Sequence, residues 1–286
     1  MKSPPFGYVR ARDTPDVFRL RTGAGPESRL LAGGQSLLPT LAFRLSDPGT
    51  LIDITRVEAL RGIRHVSDGA LRVGALTTHA ELGRDASVRA HVPVLADAVA
   101  LIAHPAIRNR GTIGGSLAYA DPAAELPAVC VALDAIVIAV GPAGERRIAA
   151  RDFFPGLFTT ALAEDELIAA IEFPAMRGRR ATIHELARRS GDYAMAGVVL
   201  AAGPGAPLLD PRLVFFGVGD RPIIATGAAA RLAAGGADVL AAAQTALDHD
   251  LDPPSDQHGG PAFKRQLARV LLARAVASLT DRGGAR

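Results

Sequence analysis

"LLAGGQSLLP" (residues 30–39) and "RGTIGGSLAYADPAAELP" (residues 110–127) are built alike. Each runs from an apolar or extended segment into a Gly-Gly pair, then a serine, then the start of a helical pattern. In the first, Gly33 and Gly34 lead to Ser36, placed to cap a helix whose apolar positions are Leu37, Leu38, Leu41 and Leu45. Glycine allows close backbone approach and a helix N-terminus favours negative charge, so such a turn is a ready anion cradle. One copy is as simply read as a tight structural turn. The second copy, Thr112 to Ser116 with Arg108 and Arg110 beside it, changes the balance. Two glycine-hydroxyl turns suit a ligand with two adjacent phosphates, each turn supplying amide and hydroxyl donors, and point to a diphosphate-containing cofactor.

Competing motifs fail on their spacing. A dinucleotide fingerprint needs G-x-G-x-x-G; residues 33–36 read G-G-x-S, although Asp53 lies where a ribose-binding acid would stand. No G-x-x-x-x-G-K-[ST] is present, and "GQSLL" ends in leucine where a hydrolase elbow needs glycine. "DHDLDPPSDQHG" opens like a calcium loop at Asp248, Asp250 and Asp252, but Pro253 and Gly259 occupy the positions that require glycine and glutamate, so it reads as a solvated acidic loop. The histidines show no H-E-x-x-H spacing, and no metal site is expected.

Composition narrows the class. With 49% hydrophobic and 21% charged residues over 286 positions the chain has ample core and is not disordered. The single cysteine, Cys130, sits in an apolar run and reads as a small buried hydrophobe. It cannot form an internal disulfide or carry an iron–sulfur cluster, so redox work needs a non-protein group. The pI of 9.5 reflects arginines whose charge is nearly balanced, the net charge being only +3. The run Arg177 to Arg180 lacks aromatic interleaving and reads as a turn or subunit contact, not a nucleic-acid groove. The amino terminus lacks the order of a secretory signal and no apolar run could span a bilayer, so a cytoplasmic protein without a transmembrane segment is expected.

The element pattern is α+β. Thr14 and Pro15 read as N-cap and first turn of a helix, "SRLLAGG" as a buried strand, and "TLIDITRV" as another. "LRGIRHVSDGALRVGALTTHAEL" reads as a hairpin about Asp68-Gly69 followed by a helix, and a helix carrying Leu95, Val99 and Ile102 closes before Pro105. Asp121 and Pro122 read as the start of the next helix, then come strands, with "PAFKRQLARVLLARAVASL" as a terminal helix. Three units are expected, residues 1–56, 57–176 and 177–286.

With "LLAGGQSLLP", "LIDI", "VGALTTHAEL", "HPAIRNRGTIGGSLAYADPAAELPAV", "RRSGDYAMAGV" and "PPSDQHGGPAFKRQLARVL" in order along nearly the whole chain, the sequence resembles the FAD-binding medium subunit of the molybdenum hydroxylase (xanthine dehydrogenase) family, closest to the carbon monoxide dehydrogenase branch. The resemblance implies a two-part FAD-binding domain of the vanillyl-alcohol-oxidase (PCMH) type plus a C-terminal α/β domain of the carbon monoxide dehydrogenase flavoprotein type. It further implies that Ala32, Gly33, Gly34, Gln35 and Ser36, with Leu37 beside them, and Thr112, Ile113, Gly114, Gly115 and Ser116 cradle the pyrophosphate. By the same resemblance Ile102 and Leu167 touch the isoalloxazine ring, Glu125 keeps a carboxylate contact to the flavin, and Tyr193 lies near it. Glu125 stands where many relatives carry aspartate, Gln35 where histidine is frequent, and His184-Glu185 where a lysine is common.

The implied function is an FAD-dependent oxidoreductase subunit without a protein nucleophile. Its partners would be a small [2Fe-2S] subunit and a large molybdenum-cofactor subunit in a dimer of heterotrimers, electrons passing from the clusters through FAD to an external acceptor. Two other readings are a self-contained flavin-dependent reductase or oxidase of the same fold and a non-enzymatic nucleotide-binding module.

Overall fold

Three sheets, each covered by helices, organise the computed structural model, which describes residues 2–66, 68–205 and 207–281. The first sheet holds β1 (Gly7–Arg10), β2 (Ser28–Leu31) and β3 (Thr50–Asp53) in the order β1-β3-β2, all parallel. Parallel neighbours need a crossover, and the helices Thr14–Ala24 and Leu37–Ala42 supply the two connections. Asp13, not Thr14, caps the first of these helices. Its extended backbone lets its carboxylate accept from the Asp16 amide at 2.8 Å, a stronger cap than a hydroxyl one residue later. The second helix is six residues long, and of its expected apolar positions only Leu41 is buried, while Leu38 and Leu45 are exposed.

The second sheet comprises β4 (Ile63–His65), β5 (Leu71–Gly74), β6 (Ile136–Gly141), β7 (Gly144–Ala149) and β8 (Leu167–Phe173), ordered β4-β5-β8-β6-β7 and antiparallel throughout. The Asp68-Gly69 turn joins β4 to β5 with Gly69 at φ 82°, as that hairpin requires. Helices Pro93–Leu101, Ile113–Tyr119 and Glu125–Ala132 share the largest core with this sheet, burying Leu95, Val99, Leu117 and Val129 there, and of the three Ile113–Tyr119 packs directly on β8. All eight residues of Glu125–Ala132 are buried, which is why its sequence is apolar all round. That helix does not begin at Asp121: the Asp121 carboxylate accepts from the Ala123 amide at 2.9 Å, making a local turn that delays the helix to Glu125.

The third sheet holds β9 (Arg180–Leu186), β10 (Ala196–Gly203), β11 (Leu209–Phe216) and β12 (Ile223–Ile224), ordered β12-β11-β10-β9. One face, with Val199, Ala201 and Phe216, joins the large core. The other, with Val198 and Leu200, packs on Ala268, Leu271, Leu272 and Ala275 of the terminal helix Pro261–Asp281. Covered on both faces, β10 is buried along its whole length and reads as the unbroken apolar run AGVVLAAG. Gly197 makes this possible: a Cβ there would lie 2.0 Å from Cζ of its cross-strand partner Phe216. Gly197→Ala is expected to destabilise the chain by about 1–3 kcal/mol through overpacking. A denaturant midpoint equal to that of the parent would refute this account. Among the described residues, no helix is long and apolar enough to cross a membrane.

Candidate functional site

The two glycine turns, remote in sequence, abut in space. A Cβ on Gly33 would lie 2.2 Å from the Arg110 carbonyl oxygen and 2.9 Å from Gly111 Cα, so only hydrogen at this position lets the backbones meet. Gly115 faces the methyl of Ala32 across the same seam. In the first turn Gly34 takes φ 74°, and among the described residues the amides of Gly33, Gly34, Gln35 and Ser36 donate to no other group of the chain. Ser36 makes no capping hydrogen bond, so its hydroxyl is also uncommitted. Gln35 turns its amide back onto the Gly33 carbonyl at 3.1 Å, bracing the loop from within. Successive unspent amides around a positive-φ glycine form a nest for an anion.

The second turn is organised differently from the expectation of matched amide donors. Its amides are spent inside the chain: Ile113 donates to the Thr77 carbonyl (3.1 Å), Gly114 to Ala75 (2.9 Å), Gly115 to the Thr112 hydroxyl (3.1 Å) and Ser116 to the Thr112 carbonyl (3.0 Å). Thr112 caps the helix Ile113–Tyr119 in the usual way. The physical reason is tertiary: the segment Ala75–His79 pairs with Gly111–Gly114, and a Cβ on Gly114 would lie 2.5 Å from the Ala75 methyl. The second turn therefore offers the Ser116 hydroxyl and a shaped wall, and the first turn offers the donors. A diphosphate fits this asymmetric cradle through the unspent amides of residues 33–36.

Ile102 and Tyr193 lie on segments that meet where Gly191 abuts Ala103. Ile102 is buried and sits just past the helix Pro93–Leu101, as its C-cap, not on it. The loop between β9 and β10 lies on the adjacent Ala103, where Gly191 approaches so closely that a Cβ would be 2.8 Å from the Ala103 carbonyl oxygen. Two residues further on, Tyr193 is 64% exposed, which is incompatible with a core role. Leu167 is elsewhere: it starts β8 and is buried with Val17, Ile52 and Leu60 against the first sheet, with Ala32 at the edge of the same cluster. It is not brought together with Ile102 and Tyr193, because β8 presents Leu167 to the first unit and not to the third.

Carboxyl groups crowd the same end. Burial, with added repulsion from Glu185 and Asp121, pushes Glu125 up to about 8. Glu185 on β9 is pushed up by burial to about 7, and its Oε2 is buried without a hydrogen-bond partner among the described residues. Asp121 is likewise raised by burial. Loss of hydration around its hydroxyl, followed by the charges of Asp121, Tyr119 and Glu125, raises Tyr193 to about 12. His79, under the second turn, has a buried ring, and burial above all, opposed by an interaction with the Thr112 backbone and helped by a smaller push from the Arg108 charge, lowers it to about 4. Neither Glu185 nor His79 was singled out for the site by sequence. For Glu185 the signal available was the loss of a common lysine; His79 lay inside a motif read only as strand and helix.

The rejected motifs are committed elsewhere. Asp53 is held at about 2 because hydrogen bonds from Thr55, Tyr8 and Arg10 outweigh its burial, so it faces no ribose. The expected solvated acids at Asp248–Asp256 are in fact paired: Asp250 caps the helix Thr226–Ala234 through the Gly227 and Ala228 amides, and Asp256 meets the buried Lys264. Among the described residues no cluster could hold a metal ion. Cys130 is fully buried, and burial raises its thiol, leaving it inert.

Residues 4–176 match the family described as the FAD binding domain in molybdopterin dehydrogenase, and residues 181–279 match the CO dehydrogenase flavoprotein C-terminal domain. The alpha subunit of the 6-hydroxypseudooxynicotine dehydrogenase complex of Paenarthrobacter nicotinovorans is 39% identical, the alignment covering 99% of this chain and 97% of the relative. A solved carbon monoxide dehydrogenase of Hydrogenophaga pseudoflava superposes with a TM-score of 0.94 at 34% identity, covering 99% of both chains. Quinoline 2-oxidoreductase of Pseudomonas putida 86 superposes with a TM-score of 0.92 at 34% identity, covering 98% of this chain and 99% of that one. With both of its parts matched and its full length shared, the chain belongs to the FAD-binding medium-subunit family of the molybdopterin dehydrogenases and is an FAD-dependent oxidoreductase subunit.

Proposed function

We propose that the chain serves as the electron-transfer subunit of a molybdenum-containing hydroxylase, with a small [2Fe-2S] subunit and a large molybdenum-cofactor subunit as partners in a dimer of heterotrimers. The observation that carries this reading is the abutment of the two glycine turns, Gly33 against Arg110–Gly111, around amides that no group among the described residues occupies. When bound there, FAD would supply the redox chemistry that links the clusters to an external acceptor. The residues of this chain bind and orient. In this reading the amides of Gly33 to Ser36, with the hydroxyls of Ser36 and Ser116, hold the diphosphate; Ile102 and Tyr193 bracket the ring; Leu37 flanks the first turn, and Leu167 backs the cradle from β8 where it packs on the first sheet beside Ala32.

Glu125 has a defined task in this arrangement. With its pKa lifted to about 8, its carboxyl keeps a proton near neutral pH and is a hydrogen-bond donor as well as an acceptor. No nucleophile is required, and the buried, inert Cys130 supplies none. The single cysteine also means that the clusters of the proposed relay must lie on another chain.

The purified chain, saturated with FAD and desalted, is expected to stay yellow at one flavin per chain, and co-expression with its neighbouring small and large subunits should yield a stable ternary complex. A colourless chain would defeat the flavin reading. A yellow chain that oxidises small substrates without partners would favour the self-contained enzyme.

A further inference from the structure

Arg108 belongs to neither glycine turn, yet its guanidinium is fully aimed. Nη1 donates to the carbonyls of Ile102 at 2.7 Å and Ala103 at 2.9 Å. Those two carbonyls point the same way because Ala103 takes φ 39°, a left-handed conformation that a non-glycine residue adopts only when its surroundings impose it. A shared cation compensates the alignment of the two dipoles. On the other side of the same turn Gly191, itself at φ 86°, brings the β9–β10 loop into backbone contact with Ala103. The loop is closed by its own hydrogen bonds, Asp192 to the Arg189 carbonyl at 3.1 Å and Met195 to the Leu186 carbonyl at 2.8 Å, so it moves as one piece with Tyr193.

We propose that Arg108 is a positioning residue for the flavin-ring end of the site: by fixing the Ile102–Ala103 turn it sets the place of Ile102 and, through the Ala103–Gly191 contact, of the loop that carries Tyr193. The inference rests on the reading above that Ile102 and Tyr193 bracket the ring. It makes Arg108 a main-chain link between the third sheet and the FAD-binding part, beside the core packing that joins them. Arg108 acts through main chain and holds no phosphate.

The test uses the full chain loaded with FAD, with R108Q, R108K and G191A as variants. Two readouts are followed: flavin affinity by fluorescence titration, and the visible circular dichroism of the bound flavin, which reports the asymmetry of the ring's surroundings. R108Q is expected to lose less than about tenfold in affinity, because the diphosphate grip is intact, while the flavin dichroism falls towards that of free FAD. G191A should give the same spectral change, since the added methyl pushes the loop off Ala103 from the opposite side. The double variant should add little to either single one, because both displace the same Ala103 junction. R108K should restore most of the signal, because one nitrogen serves both carbonyls. If R108Q fails to fold, G191A carries the test alone.

An R108Q or G191A dichroism equal to the parent's, fully additive effects, or a large loss of affinity with the spectrum unchanged would overturn the inference, the last by making Arg108 a phosphate ligand. A parent chain that binds no FAD would instead sink the functional reading on which the inference stands.

Discussion

Gly33→Ala is expected to weaken FAD binding by at least about 100-fold while leaving the fold intact. The added carbon would sit 2.2 Å from the Arg110 carbonyl oxygen, 2.8 Å from Arg110 C and 2.9 Å from Gly111 Cα. All three are backbone atoms, so no rotamer change relieves the overlap and the two turns must part. The second turn cannot give way cheaply, since Gly114 is pressed on Ala75, its own amide is bonded to the Ala75 carbonyl and the Ile113 amide to the Thr77 carbonyl. The first turn yields instead, and its nest of amides no longer faces the diphosphate. Losing the alignment of two charge-assisted hydrogen bonds, each worth about 1.5–3 kcal/mol, produces a loss of this size. Gly23→Ala is the control: it lies in the first helix, a Cβ there meets nothing within 4 Å, and affinity should be unchanged. Fluorescence titration of both variants decides the matter, with far-ultraviolet circular dichroism to verify folding. Parent-like affinity in Gly33→Ala would mean that the two turns do not grip one ligand.

That contact also marks the boundary of what the sequence discloses. The Gly-Gly pairs, the Asp68-Gly69 hairpin and the long terminal helix are all local signals, each set by residues a few positions apart, and each is where the sequence places it. What the sequence hid is tertiary. Nothing in "TIGGS" announces that its amides are consumed by Ala75 and Thr77, because that pairing joins segments with no shared pattern. The caps shifted for a related reason: Asp13 outcompetes Thr14, and Asp121 prefers its own turn to a helix start, choices that depend on small differences in backbone conformation. Leu167 is a ring contact by resemblance alone; that it packs against the first sheet follows from the order of strands in the second. The carboxyl cluster was invisible for the same reason, since Glu125 and Glu185 meet only when the third sheet is laid over the helix that Glu125 begins.

The cluster has a thermodynamic signature large enough to measure. Glu125 carries a pKa raised from 4.5 to about 8 in the folded chain, first by burial and then by the neighbouring Glu185 and Asp121. The folded state therefore binds this proton more tightly than the unfolded state does. Its contribution is fully favourable below the unfolded pKa and is lost as pH rises through the folded one, a total of up to about 5 kcal/mol. Glu125→Gln keeps the shape of the protonated side chain and cannot ionise. Urea unfolding of the flavin-free chain should thus show parent and variant nearly equal at about pH 5, with the variant progressively more stable towards about pH 9. His79, lowered to about 4, works in the opposite sense: its unfolded state takes the proton first, so it erodes stability as pH falls below its ordinary value of 6.5. Because that effect is common to parent and variant, it cancels in the difference and leaves Glu125 isolated. Parallel stability curves across the whole range would mean that Glu125 is already ionised in the folded chain at neutral pH, and that the seam between the FAD-binding part and the third sheet is wet where the structure has it closed.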